Sequence, residues 1–267
     1  MIDYTLYSSH LDSYEKLVKD IFSVPLQQEI SGPKKYKKIK PRLNYLICFT
    51  NRSGSTLLSN TLARTGLMGT PGEMFNPEPL TNARQKFGLT SFEDYLNFKI
   101  ETTSKNRVFG AKVGTHHLAY LAQQGYLTTH INKPKFIYVT RKNKVMQAIS
   151  LYLAWETGAW TSKAPATDSM PAYNAKKIAQ QLNSIISTEA QFEAFFAAHR
   201  IKPLRLHYED LEKDLTHKVI QVCKFVGLEE LNDIKIDPVL QKQRTPTNQA
   251  WAKQFVAEHR RSSFNRS

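Results

Sequence analysis

Four short runs of apolar and β-branched residues stand out along the chain, at 45–49, 108–113, 136–140 and 204–207. Between them lie longer segments in which apolar residues recur every three or four positions. The short runs, bounded by polar turns, predict strands, and the longer spacing predicts helices over 14–22, 55–65, 92–103, 144–156, 175–196 and 211–225. Strands that alternate with helices imply an α/β architecture, a mainly parallel central sheet flanked by helices. Residues 161–174, where Pro165 and Pro171 stand among small polar residues, read as a loop or lid. Open α/β sheets bind ligands beyond the carboxyl ends of their strands, and the polar stretches 51–56 and 112–117 and Arg141 all fall there.

The first of these strand ends carries the most chemistry. Tyr45-Leu46-Ile47-Cys48-Phe49 runs into Thr50-Asn51-Arg52-Ser53-Gly54-Ser55-Thr56, an apolar strand ending in a small hydrogen-bonding turn before a helix. Unpaired N–H groups and the positive end of the dipole make a helix N-terminus favour anions. Gly54 lets the backbone approach a phosphate, Ser53, Ser55 and Thr56 add hydroxyls, and Arg52 adds permanent charge in a bidentate fork. The turn reads as a phosphate cradle. It is not a Walker A loop, which needs a second glycine and a lysine before its Ser/Thr.

Length and charge narrow the partners. At 267 residues and 41% hydrophobic composition the chain is expected to form one domain over 1–267, with 1–40 an N-terminal extension of no recognised type. The first residues lack a basic stretch followed by an apolar one, and no apolar run approaches the roughly 20 residues of a membrane helix, so a cytoplasmic location is expected. Cys48 and Cys223 sit in apolar settings and read as two buried thiols. The formal net charge of +14 fits capture of a polyanion. Basic runs at 34–40 and at Arg260-Arg261 allow peripheral contact with a membrane surface; without a nucleic-acid module around them, no nucleic-acid partner is expected. No metal constellation is present, since His116 and His117 are adjacent rather than spaced along one helix face and no carboxylate cluster accompanies them.

Arg141, at the end of the third strand, and Ser150, in the helix that follows, can converge on one phosphate. Together with the Arg52-Ser53-Gly54-Ser55-Thr56 loop, this pair resembles the 3′-phosphate motif of sulfotransferases that use 3′-phosphoadenosine 5′-phosphosulfate (PAPS). Gly72-Glu73-Met74-Phe75-Asn76-Pro77 and the stretch from Gln147 to Trp160 resemble, more narrowly, the trehalose sulfotransferase-like family of bacterial PAPS-dependent carbohydrate sulfotransferases. The likeness extends from about Leu43 to Phe255, through Phe109-Gly110-Ala111-Lys112, Tyr208-Glu209-Asp210-Leu211 and Gln243-Arg244-Thr245-Pro246.

That resemblance implies a P-loop-like sulfotransferase fold, PAPS as co-substrate without a metal, and transfer of a sulfuryl group to a hydroxyl of a carbohydrate or glycolipid. It implies Glu73 as general base and Arg52 as the group that stabilises charge on the departing phosphate, with Ser53, Gly54, Ser55, Thr56, Arg141, Ser150 and Arg244 on the nucleotide. Lys112, His116, Trp155 and Trp160 are candidates for the acceptor side, the tryptophans because their rings offer apolar faces to a sugar. His116 or His117 is the rival for the base, since histidine titrates near neutrality. Two other functions stay open at this point: an ATP-dependent phosphotransferase and a non-catalytic anion or nucleic-acid binding module. A homodimer is compatible with either kind of reading.

Overall fold

The computed structural model describes residues 3–26, 36, 38–160, 171–228 and 246–264. Its centre is a parallel four-stranded sheet in the order β2-β1-β3-β4, with β1 at Leu43–Phe49, β2 at Val108–Val113, β3 at Lys135–Thr140 and β4 at Leu204–His207. In register, Leu43 faces Val108 on one side of β1, and Tyr45 faces Lys135 on the other. Parallel strands covered on both faces read as continuous apolar runs, which is why these segments lack a polar alternation.

The helices are α1 (Leu11–Ser23), α2 (Ser55–Arg64), α3 (Pro77–Phe87), α4 (Phe92–Thr103), α5 (Thr115–Gln123), α6 (Tyr126–Thr129), α7 (Lys144–Thr157), α8 (Ala175–Ala198), α9 (Tyr208–Lys213), α10 (Leu215–Val226) and α11 (Pro246–Phe264), after a 3-10 turn at Tyr4–Tyr7. Successive side chains of β1 point to opposite faces. Leu46 and Cys48 join a cluster with residues of α1, α3, α4, α5 and α8. Tyr45 and Ile47 join a second cluster with Leu58 and Leu62 of α2 and Val219 and Val222 of α10. A third cluster binds α7 to α8 and α11 through Ile149, Tyr152, Ile178, Ile185 and Phe255. No helix among the described residues is long and apolar enough to cross a membrane.

The expected helix over 211–225 is two helices. Tyr208–Lys213 ends at Asp214, which leaves helical geometry and accepts the N–H of His217 at 3.0 Å, capping α10. Of the expected loop over 161–174, only 171–174 are described, and they lead directly into α8. Arg244, and Lys34, Lys35 and Lys37 of the basic run, lie outside the described residues.

Candidate active site

The loop after β1 is held from below by α7. Gln147, fully buried, donates from Nε2 to Thr50 Oγ1 at 2.8 Å and to Asn51 O at 2.9 Å. Above these anchors the backbone turns twice through the left-handed region, at Arg52 (φ 63°) and at Gly54 (φ 87°). Left-handed residues in close succession form a concave nest of N–H groups, the arrangement that binds anions. The N-cap residue of α2 is Gly54, which has no side chain to accept from the helix's first N–H groups. The Ser53 hydroxyl is buried with no hydrogen-bond partner among the described residues.

Gly54 is required here for space as well as for conformation. A Cβ on it would lie 2.5 Å from Cδ2 of Tyr208, the first residue of α9. Behind that ring stands Arg141, its guanidinium carbon 4.9 Å from the ring centroid. Arg141 leaves the sheet at the end of β3 and is buried. Glu209 steadies the same turn, its carboxylate accepting the N–H groups of Lys142 (2.9 Å) and Asn143 (3.1 Å) with Arg141 Nε 4.0 Å away. Burial pushes the Glu209 carboxyl up, but those N–H bonds and Arg141 outweigh it and hold it below the usual carboxylate range.

Arg52 joins the two phosphate signatures. Its Nε donates to Ser150 Oγ of α7 at 2.8 Å, and Nη1 to Trp160 O at 2.8 Å. Burial, and then the neighbouring charge of Arg141, depress its pKa. Two guanidiniums close enough to repel each other in a partly dry site favour a multiply charged anion between them.

The other half of the site comes from β2. Lys112 is buried at 3% side-chain exposure, its Nζ 2.6 Å from Glu73 Oε1 and 3.0 Å from Thr56 Oγ1, with the Phe49 ring centroid 4.4 Å away. Burial lowers the Lys112 pKa and the Glu73 carboxylate opposes that shift. Glu73 itself, on the loop between α2 and α3, keeps 40% of its side chain exposed, enough for a substrate to reach it. Its second oxygen accepts from Asn76 Nδ2 at 3.0 Å.

The histidines face elsewhere. His116 sets its ring edge-on or tilted among His10 and Tyr14 of the N-terminal segment and His117, at 6.5, 5.2 and 4.0 Å between centroids. Burial, then His10, pushes its pKa down to about 4. His117 accepts the Gly114 N–H at 3.2 Å through Nδ1, and burial holds it well below the ordinary histidine value. Both rings pack between α1 and α5, against Tyr14. Trp155 and Trp160 stand edge to face at 4.7 Å and are 60% and 40% exposed, an aromatic corner whose backbone touches Arg52. Among the described residues no three His, Cys, Asp or Glu side chains gather as a metal site would.

The fold thus brings Arg52, Ser53, Gly54, Ser55, Thr56, Arg141, Ser150, Lys112 and Glu73 to one edge of the sheet, the edge formed by the carboxyl ends of β1, β2 and β3. Gln147, Tyr208 and Asn76 were not expected there. Gln147 had one legible signal, since it precedes Ser150 by three positions and so shares a helix face with it.

A family model described as Stf0 sulphotransferase matches residues 44–258. Two trehalose 2-sulfotransferases are similar to the chain: that of Mycobacterium tuberculosis (strain Erdman) is 28% identical over 256 residues, covering 80% of this chain and 94% of that protein. That of Mycolicibacterium smegmatis is 26% identical over 262 residues, covering 82% and 97%. Among solved structures, the sulfotransferase domain from the Synechococcus PCC 7002 olefin synthase superposes with a TM-score of 0.43 at 14% identity, covering 84% of this chain and 98% of that one.

Proposed function

The chain belongs to the Stf0 sulphotransferase family and is a sulfotransferase; from that premise we propose that it moves a sulfuryl group from PAPS to a hydroxyl of a carbohydrate, with Glu73 as the general base. The observation that carries this reading is Lys112, whose single ammonium touches both Thr56 of the phosphate cradle and Glu73. A hydroxyl of the cradle and the carboxylate proposed as proton acceptor are therefore each a hydrogen bond from the same nitrogen.

The residues present suit the donor. Among the described residues the Ser53 hydroxyl has no partner and the Gly54 N-cap of α2 has no capping side chain, which leaves donors for an anion, and Gly54 keeps the cradle open against Tyr208. Arg52 and the N–H groups of the cradle would hold the 5′-phosphosulfate, while Arg141 and Ser150 would hold the 3′-phosphate. PAPS supplies a sulfuryl group on a phosphate leaving group: the acceptor oxygen forms a bond to sulfur, the bond from sulfur to the bridging oxygen breaks, and adenosine 3′,5′-bisphosphate departs. Glu73 takes the hydroxyl proton, and Lys112 keeps that carboxylate oriented toward the cradle. Arg52 neutralises charge gathering on the departing phosphate, an effect strengthened by its burial. The Trp155 and Trp160 corner would hold the apolar face of a sugar ring.

Trehalose is the first acceptor to try, because the two similar curated proteins carry its name. Labelled sulfuryl transfer from PAPS to trehalose and other sugars, read by mass, tests the reaction. Glu73→Gln is expected to lower kcat by about 10²–10⁴, the usual worth of a positioned base. Full turnover by that variant would remove Glu73 from the role. Calorimetry should show tight binding of adenosine 3′,5′-bisphosphate and little preference for MgATP; the reverse order would favour a phosphotransferase.

A further inference from the structure

Around Glu73, the carbonyls of residues 72–75 each have a donor. Gly72 O accepts the Lys112 N–H at 2.9 Å, and Glu73 O accepts the Asn76 N–H at 3.3 Å. Met74 O accepts the Tyr95 hydroxyl, and Phe75 O accepts the Tyr14 hydroxyl at 2.7 Å. Both tyrosines and both of their acceptor residues are buried. Burial raises the pKa of both phenols, so each keeps its proton and stays a donor at any working pH.

These two bonds reach the loop from opposite parts of the chain. Tyr95 lies on α4. Tyr14 lies on α1, ahead of residues 44–258 that the family model matches. Its ring is wedged edge-on against His117 (4.9 Å) and Tyr120 (5.3 Å) of α5. Leu11 and Val18 of the same helix are buried in the core cluster that holds Met74 and Phe75. At the far end of the helix, Arg84 of α3 donates to Val24 O. The helix is thus clamped at both ends with Tyr14 in between. A base on an irregular loop keeps a productive position only if its backbone is held within a fraction of an ångström, and residues 72–76 belong to no helix or strand, with one backbone bond to β2 at Gly72.

We propose that Tyr14 and Tyr95 are positioning residues for Glu73, and that through Tyr14 helix α1 is a working part of the active site although it lies outside the family match. The proposal rests on the reading of Glu73 as base. It predicts a split between chemistry and nucleotide binding, because the tyrosines touch the base loop and not the phosphate cradle.

The test uses the full chain, labelled PAPS, and trehalose, maltose and glucose as acceptors. The rate is taken on whichever sugar turns over fastest and expressed per adenosine 3′,5′-bisphosphate-binding site, so that unfolded molecules are not counted. Tyr14→Phe and Tyr95→Phe each lower kcat about tenfold or more, toward the roughly 100-fold that a 1 Å misplacement costs, with bisphosphate affinity unchanged. In a Glu73→Gln background the same substitutions cause no further loss, because the group they position is gone. Wild-type kcat in the tyrosine variants, or losses that multiply with that of Glu73→Gln, would overturn the proposal. Full activity of Glu73→Gln alone would instead remove the base reading beneath it. A sensitive Glu73→Gln beside fully active tyrosine variants removes only the brace.

Discussion

Gly54→Ala tests the geometry of the cradle most directly. The residue sits at φ +87°, where a side chain is strained, and its Cβ would lie 2.5 Å from Tyr208 Cδ2, 3.3 Å from Cγ and 3.4 Å from Cβ. The left-handed backbone alone costs about 1–2 kcal/mol. The overlap adds about 1–3 kcal/mol, since Tyr208 is a half-buried ring backed by Arg141 rather than the free end of a flexible chain. The two together should lower Tm by roughly 4–20 °C at about 2–4 °C per kcal/mol for a chain of this size. Gly125→Ala separates the terms: its φ is +72° but nothing lies within 4 Å of its Cβ, so only the backbone cost applies. Thermal unfolding of wild type and both variants, with and without adenosine 3′,5′-bisphosphate, gives the comparison. Gly54→Ala should lose more stability than Gly125→Ala and should also lose most of the stabilisation the nucleotide confers. Equal losses in the two variants, or undiminished nucleotide stabilisation in Gly54→Ala, would refute the contact and its place in the cradle.

Acid stability should depend on the histidine layer between α1 and α5. His116 is held down to about 4, while the unfolded chain takes up that proton near 6.5. Between those values the unfolded state binds more protons, so stability falls as pH drops from about 6.5 toward 4. The groups facing it are His10, Tyr14 and His117. His116→Phe should flatten that part of the curve in urea unfolding at several pH values, and parallel curves for variant and wild type would count against it. Trp155→Ala and Trp160→Ala, both at exposed positions, should raise the KM for trehalose while leaving bisphosphate affinity alone; initial rates and calorimetry read the two effects, and an unchanged KM in both would dismiss the aromatic corner as a sugar platform.

Strands were easier to read from the sequence than helices. All four expected strands form, because a buried parallel strand leaves a short uninterrupted apolar run between polar turns. Helix α3 went unread because it opens Pro77-Glu78-Pro79 and is polar over much of its length, although proline is at home in a first helical turn. Helix α5 follows β2 after a single residue, so its start looked like the strand's polar end. At the site, Arg52 and Arg141 could be seen because a cation at a strand end is visible locally. Gln147 under the cradle, Tyr208 against Gly54, and Tyr14 and Tyr95 on the Glu73 loop could not. Each acts on a partner distant along the chain, and nothing in its own neighbourhood says which carbonyl or ring it meets.

The strand that ends in the cradle also shapes how the protein is made. β1 pairs on both edges, with β2 and with β3, and both partners come later in the chain. During synthesis β1 leaves the ribosome as an apolar ribbon with neither edge covered, and it must wait for two crossover connections before it is protected. Unpaired edges of this kind recruit other chains. Slow translation or high expression temperature should therefore divert this protein into aggregates, with β1 as the segment that nucleates them.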